Sequence, residues 1–230
     1  NPASILNQID YHRRFKTPYE QHCVRQANVL AAPAHRAAQG AFMAGCSELD
    51  IAAAYLKACN VSENTMPYPI IAGVNEHAGV LHHAQLSNQA LKPLSFLLDA
   101  GVGYRGYASD ITRTHAFDPR SEFSDMVQLM DTKQQELVAA GGIGACNQEL
   151  NRLSHHKIAE ILVAFSVINT SVSEAVEIGL THTFYPHTLG HALGVNVHDK
   201  GTDLLNAQGE KLPPSIDFPK LRNRGKMEAC

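Results

Sequence analysis

Two aspartates carry the first chemical signal. They lie in the run Ser95-Phe-Leu-Leu-Asp99-Ala-Gly-Val-Gly-Tyr-Arg-Gly-Tyr-Ala-Ser-Asp110-Ile-Thr-Arg-Thr114. The spacing predicts a hairpin with its turn at Tyr104-Arg105, between Gly103 and Gly106, and this register sets Asp99 directly opposite Asp110. Directly opposed side chains have Cβ atoms only about 4.5–5.5 Å apart, where like charges destabilise the pair. Two carboxylates kept there call for a shared proton or a bound cation. Imidazoles come from a second run, Tyr185-Pro-His187-Thr-Leu-Gly-His191-Ala-Leu-Gly-Val-Asn-Val-His198-Asp199, in which His187 and His191 are four apart and His198 is seven further on. Gly190 and Gly194 argue against a regular helix there and for a close-packed turn beneath a site. Carboxylates with a minority of imidazole suit Mn²⁺ or a similar divalent ion better than a thiolate-type zinc site does. Each signal is weak alone: an aspartate beside a glycine turn is more often a turn residue, and His82 on a short apolar strand is more often a satisfied core histidine. The combination points to metal chemistry.

The elements that must position these residues follow from the pattern around them. Thr17-Pro18-Tyr19-Glu20 is a capping box with proline at the first helical position, and a helix to about Met43 should follow. Ser47-Glu-Leu-Asp50 opens a second helix, to about Cys59. Ser62 to Pro69 reads as a loop, and Ile70–Val74 and Val80–His83 as strands. Leu94–Asp99 and Tyr107–Thr114 form the arms of the hairpin. Helical periods return over Ser121–Ala140 and Asn147–Phe165, broken by Gly141-Gly-Ile-Gly144, with a shorter helix near Ser173–Ile178. Thr183–His198 alternates as strand and glycine turn, and the tail from Asp199 is loop-rich. Strands and long helices mix without a regular βαβ alternation, which favours an α+β fold.

Composition bounds the setting. The chain has 230 residues, is 44% hydrophobic and 18% charged, and carries a net charge of −3. That suits one globular domain, or one large and one small. The lack of a basic run argues against nucleic acid and anionic membrane as partners, and no apolar stretch approaches the ~20 residues of a membrane helix. No signal peptide is visible at Asn1-Pro-Ala-Ser-Ile. Five cysteines without C-x-x-C spacing predict spare thiols in a reducing, cytoplasmic compartment. Of the 13 histidines, those in 77–83 and 182–198 cluster, whereas His12, His22, His35, His155 and His156 are expected to be scattered over the surface.

Four segments, Leu98-Asp99-Ala-Gly, Tyr107-Ala-Ser-Asp110-Ile-Thr-Arg-Thr114, Asn75-Glu-His-Ala-Gly-Val-Leu-His82 and Pro186-His187-Thr-Leu-Gly-His191-Ala-Leu-Gly-Val-Asn-Val-His198-Asp199, closely resemble the Xaa-Pro dipeptidases, or prolidases, of the bacterial type. The likeness runs from about Tyr11 to the C-terminus. It implies the α+β pita-bread fold, with residues 1–230 as a partial metallopeptidase catalytic domain that lacks the usual N-terminal domain and the final metal-binding strands. It also implies roles. Asp99 would chelate one of two divalent ions, most simply Mn²⁺ with Co²⁺ and Zn²⁺ as alternatives. Asp110 would bridge both, and His191 would bind the second. His187 and His198 would sit beside the scissile carbonyl as catalytic groups. Tyr68 and His82 would line the substrate side, and Arg222 would receive the substrate's C-terminal carboxylate, a role guanidinium performs bidentately.

The activity implied is hydrolysis of Xaa-Pro dipeptides by a metal-bridging hydroxide. Aminopeptidase P-like cleavage of longer peptides and a non-catalytic peptide-binding module are the alternatives, and phosphotriester hydrolysis is a side activity such a site would permit. A homodimer is a further expectation from the family. Two glutamate ligands of the family fall beyond the counterpart of residues 226–229, and Glu228 is not assigned to either. Thr188 and Pro69 stand where the family has glycine. The spacing Arg222-Asn-Arg-Gly also departs from the usual pattern. With three of five ligands, the 230-residue chain alone is expected to bind metal weakly and to have little or no activity.

Overall fold

The computed structural model describes residues 2–228, which form two compact units. One comprises Lys16–Val127 and Leu193–His198; the other comprises the N-terminal residues to Phe15, Gln128–Ala192 and the segment from Asp199 onward. The helices are α1 (Pro2–Arg13), α2 (Pro18–Met43), α3 (Glu48–Cys59), α4 (Glu122–Ala140), α5 (Asn147–Ala164), α6 (Val172–Glu177) and α7 (Thr181–Phe184). The strands are β1 (Ile71–Val74), β2 (Ser95–Ala100), β3 (Gly103–Tyr104), β4 (Tyr107–Ala108) and β5 (Ile111–Ala116). The α+β reading holds. No helix among the described residues is long and apolar enough to cross a membrane.

The first unit holds the sheet. Thr17 caps α2 as expected: its Oγ1 accepts from Glu20 N at 3.3 Å, while Glu20 Oε2 accepts from Thr17 N at 2.8 Å. Ser47 caps α3 by accepting from Asp50 N. The small residues Ala31, Ala34 and Ala38 of α2 pack into one core with Phe42, with Ile51 and Tyr55 of α3, and with Phe96, Leu98 and Ala100 of β2. Small side chains let helix and sheet approach closely, and the Phe42 and Phe96 rings stack at 5.1 Å. β2 lies between β1 and β5, both antiparallel to it. Its burial alternates strictly, with Phe96, Leu98 and Ala100 inward. Asp99 therefore faces away from this core.

Several expectations fail here. The turn is at Arg105-Gly106, not Tyr104-Arg105: both residues have positive φ, +52° and +84°, as a two-residue type I′ turn requires. Asp99 consequently pairs with Thr112, not with Asp110. Val80–His83 is not a strand but a turn following a short 3₁₀ helix, Asn75–Gly79. Thr183–His198 is likewise not a strand: α7 occupies its start and the rest is irregular. Nor are all the scattered histidines on the surface. His35 is buried and its Nε2 donates to Ala100 O at 3.1 Å. His155 is 2% exposed.

The second unit is helical and loop-rich. Helix α1, which no sequence signal announced, fits closely against the tail: a Cβ at Gly201 would lie 1.9 Å from Asp10 O. α5 packs on α6 and α7. His155 of α5 sits among the rings of His182, Tyr185 and Phe218, with centroids 4.4, 5.2 and 5.4 Å away. Lys133 and Lys157 tie α4 to α5 through Glu160 and Glu136, both at 2.7 Å. Of the cysteines, Cys23, Cys46, Cys59 and Cys146 are free thiols, while Cys230 lies outside the described residues.

Candidate metal centre

The two hairpin aspartates converge although they are not opposed. Asp110 stands two residues from Thr112, the partner of Asp99, and so lies diagonal to Asp99 on the same face. The Tyr68 hydroxyl reaches both, 2.8 Å from Asp99 Oδ1 and 2.9 Å from Asp110 Oδ1. A phenol has one proton and can donate to only one carboxylate at a time. The two carboxylates therefore share that single phenolic proton. Burial, together with the neighbouring Asp110 charge, pushes the Asp99 carboxyl above its usual range, against hydrogen bonds from Tyr68 and Thr112. Burial and the two carboxylates also push the Tyr68 phenol up, so it stays protonated. The donor set, half-buried carboxylate oxygens brought together around one hydroxyl, fits a hard divalent ion.

Local backbone geometry brings the pair together. Between the two ladders, Val102 N donates to Ser109 Oγ at 2.8 Å and Ser109 N donates to Val102 O at 2.9 Å. Gly101 allows this crossing: a Cβ there would lie 1.9 Å from Ser109 O. Gly101→Ala should therefore destabilise the fold by about 3 kcal/mol and separate the aspartates. Urea denaturation of the variant would check this, and unfolding coincident with the parent would refute it.

The remaining candidates divide between the units. In the sheet unit, His82 is exposed and holds a left-handed φ of +59°, a conformation that costs energy for a non-glycine residue and is often kept for function. It is one of the groups whose electrostatic influence reaches Asp99. His198 is exposed and belongs to the short segment that Gly194 O ties to this unit by accepting from Ala108 N at 3.0 Å. His187, His191 and Arg222 belong to the other unit. Asn151, fully buried in α5, fixes the loop between the two histidines by accepting from Leu189 N at 2.7 Å. The Nδ1 of His191 lies 3.1 Å from its neighbour's carbonyl, Ala192 O. A carbonyl only accepts, so Nδ1 carries a proton, and in the ring's neutral form the lone pair is at Nε2. His187 and Arg222 are exposed, and the Arg222 guanidinium makes no ion pair among the described residues.

A second cluster gathers around a residue that the sequence pattern did not single out. Glu48, 1% exposed at the first turn of α3, receives His77 Nδ1 at 2.8 Å and Val74 N at 2.8 Å on Oε1. Its Oε2 receives His83 Nε2 at 3.0 Å and Ser87 N at 2.8 Å. Burial pushes the Glu48 carboxyl up, but these four hydrogen bonds outweigh it and hold the group below its usual range. The clustering of His77 and His83 was visible in the sequence, whereas Glu48 looked like an ordinary helix-start residue.

The chain is similar to known proteins. The profile of metallopeptidase family M24 matches residues 22–217. An Xaa-Pro dipeptidase of Aeromonas hydrophila is 42% identical over 231 aligned positions, covering 99% of this chain and 52% of the relative. One of Pseudoalteromonas haloplanktis is 43% identical over 223, covering 96% and 51%. The chain thus spans about half the length of the curated relatives it matches. Among solved structures, aminopeptidase P from E. coli in a low-pH form superposes with a TM-score of 0.77 at 24% identity, over 90% of this chain and 47% of that one. Proline aminopeptidase P II from Yersinia pestis gives 0.70 at 23%. These two likenesses show a shared pita-bread fold. With most of its length under the family profile, the chain belongs to metallopeptidase family M24.

Proposed function

We propose that residues 1–230 form part of the catalytic domain of an Xaa-Pro dipeptidase. The observation that carries this reading is the carboxylate pair sharing the Tyr68 hydroxyl. Asp99, Asp110 and His191 would hold two divalent ions, with Mn²⁺ favoured by the oxygen-rich set. When bound, such ions supply Lewis acidity and activate water near neutral pH. The protein groups do the rest. Tyr68 orients both carboxylates and, remaining protonated, can donate to a developing oxyanion. His187 and His198 would stabilise that charge and move the proton that the departing proline nitrogen requires. An Xaa-Pro amide has no N–H to recognise, so selectivity must come from the ends of the substrate: His82 on the substrate side and Arg222 on the C-terminal carboxylate. The free thiols suit a reducing compartment such as the cytoplasm, and a homodimer is the assembly we favour.

Release of proline from Ala-Pro, compared with cleavage of Ala-Pro-Ala, tests the reading on the longest product of the gene with added Mn²⁺. The dipeptide alone should be cleaved. Preference for the tripeptide would replace this reading with an aminopeptidase P-like one, and Mn²⁺ binding without cleavage of either would replace it with a peptide-binding module.

A further inference from the structure

We propose a second metal site, for a Zn²⁺-class transition ion, at Glu48, His77 and His83, apart from the Asp99–Asp110 pair and independent of the peptidase reading.

Three features converge on it. First, one ligand atom from each residue lies within 4.8 Å of the others. The Glu48–His77 and Glu48–His83 separations, 2.8 and 3.0 Å, are close to the ~3.3–3.5 Å between neighbouring ligands of a tetrahedral ion with bonds of about 2.0–2.2 Å. The two imidazoles meet different carboxylate oxygens, and side-chain rotation that brings both nitrogens about one ion would convert the hydrogen-bonded set into a coordinating one. Second, the ligands are already held in place. Val74 N and Ser87 N fix the two carboxylate oxygens from behind, which is the outer-shell support that metal carboxylates require. The two imidazoles stack at 4.5 Å. The His77 backbone is pressed against β1, where a Cβ at Gly73 would come within 2.7 Å of it. Third, the charge is uncompensated by a fixed cation: the partners of Glu48 are two backbone N–H groups and two imidazoles, with no Lys or Arg among them. Burying a carboxylate is costly unless it is paired.

Two imidazoles and one carboxylate form a softer set than the hairpin pair, and imidazole suits Zn²⁺, Co²⁺ or Ni²⁺ better than Mn²⁺. The His77 side chain is 34% exposed, against 10% for His83, which gives an ion an entry path and leaves room for water as a fourth ligand. On binding, a neutral ring exchanges its proton through solvent onto its other nitrogen, His77 Nε2 or His83 Nδ1, and a cationic ring releases one proton to solvent; in both cases the ring ends neutral with the lone pair of His77 Nδ1 or His83 Nε2 on the ion.

The test uses the 230-residue chain with Asp99→Asn and Asp110→Asn, which silence the carboxylate pair. Zn²⁺ alone is titrated calorimetrically, and Co²⁺ is followed by its visible absorption. One equivalent of Zn²⁺ should bind, with an intense low-coordination Co²⁺ band. His77→Gln and His83→Gln, each keeping a hydrogen-bond donor near Glu48, should each weaken Zn²⁺ at least about 30-fold while His12→Gln does not. Circular dichroism verifies folding. If either glutamine variant fails to fold, diethyl pyrocarbonate labelling of the parent decides: Zn²⁺ should protect His77 and His83 and leave His12 reactive. Absence of Zn²⁺ binding, binding unchanged in both folded glutamine variants, or no selective protection would each overturn the proposal and leave Glu48 as a hydrogen-bonded clamp.

Discussion

Asp110→Asn is expected to cut kcat/KM for Ala-Pro by about a thousandfold or more, and yet to raise the melting temperature of the metal-free protein. The first effect follows from the proposed bridging role. Loss of a ligand to catalytic ions forfeits several kcal/mol of transition-state stabilisation, and about 4 kcal/mol is a factor of ~10³. The second follows from the site's own geometry. Asp99 and Asp110 share one phenolic proton, and Asp110 is a cause of the upward displacement of the Asp99 carboxyl. An amide removes the like charge and adds an N–H that can donate to Asp99, worth about 1 kcal/mol at this half-buried position. Opposite signs in the two measurements separate a functional pair from a structural one. Near-parental activity with Mn²⁺, or a lowered melting temperature without metal, would sink this account.

The helical unit should weaken in acid, and His155 should be the largest single reason. Its Nδ1 meets Thr181 Oγ1 at 2.9 Å, while Nε2 is buried with no hydrogen-bond partner among the described residues. Burial first, then the His182 and His156 imidazoles, push the group down to about 4 from the ordinary 6.5. Because the folded pKa lies below the unfolded one, the stabilisation is complete above pH ~6.5 and is lost as the pH falls towards ~4. At 1.36 kcal/mol per unit, the swing is roughly 3 kcal/mol. His155→Phe, which can stack on Phe218 as the imidazole does, should flatten that part of the profile. Urea unfolding at pH 7.5 and pH 4.5, followed by far-UV circular dichroism, measures the difference between parent and variant. Equal pH dependence in the two proteins would rule the mechanism out.

Local signals in the sequence were sufficient where the physics is local. Thr17-Pro18-Tyr19-Glu20 and Ser47 set the starts of α2 and α3 because caps act on the next three residues. Register is less local. Placing the turn between Gly103 and Gly106 looked symmetrical, but the I′ turn takes Gly106 at its second position and accepts Arg105 at its first. The resulting error is two residues, from position 110 to position 112 as the partner of Asp99. Side chains alternate with period two, so the misplacement left both carboxylates on one face, and the inference of a cation site survived it. The histidine run gave no such protection. Its alternation suggested a strand, yet the segment finds no ladder partner and takes its shape from single long-range bonds that a local pattern cannot show, chiefly the one from Leu189 N to the Asn151 side chain 38 positions earlier. His35 and His155 were misread for the same reason: their burial depends on Ala100 and Thr181, far along the chain. Glu48 shows the limit most plainly. A glutamate in the first turn of a helix satisfies the dipole wherever its side chain goes, so nothing local distinguishes one that gathers two histidines.

The two ladders of the hairpin keep one register, from Asp99–Thr112 out to Tyr104–Tyr107, and this restricts how this gene can change in length. A single codon inserted into one arm between Asp99 and the tip, or between the tip and Asp110, would turn one carboxylate towards Leu98 and Ala100 and leave the other behind. Codons added as a pair, one to each arm, would only lengthen the tip. Insertions and deletions that spare the site should therefore come in twos.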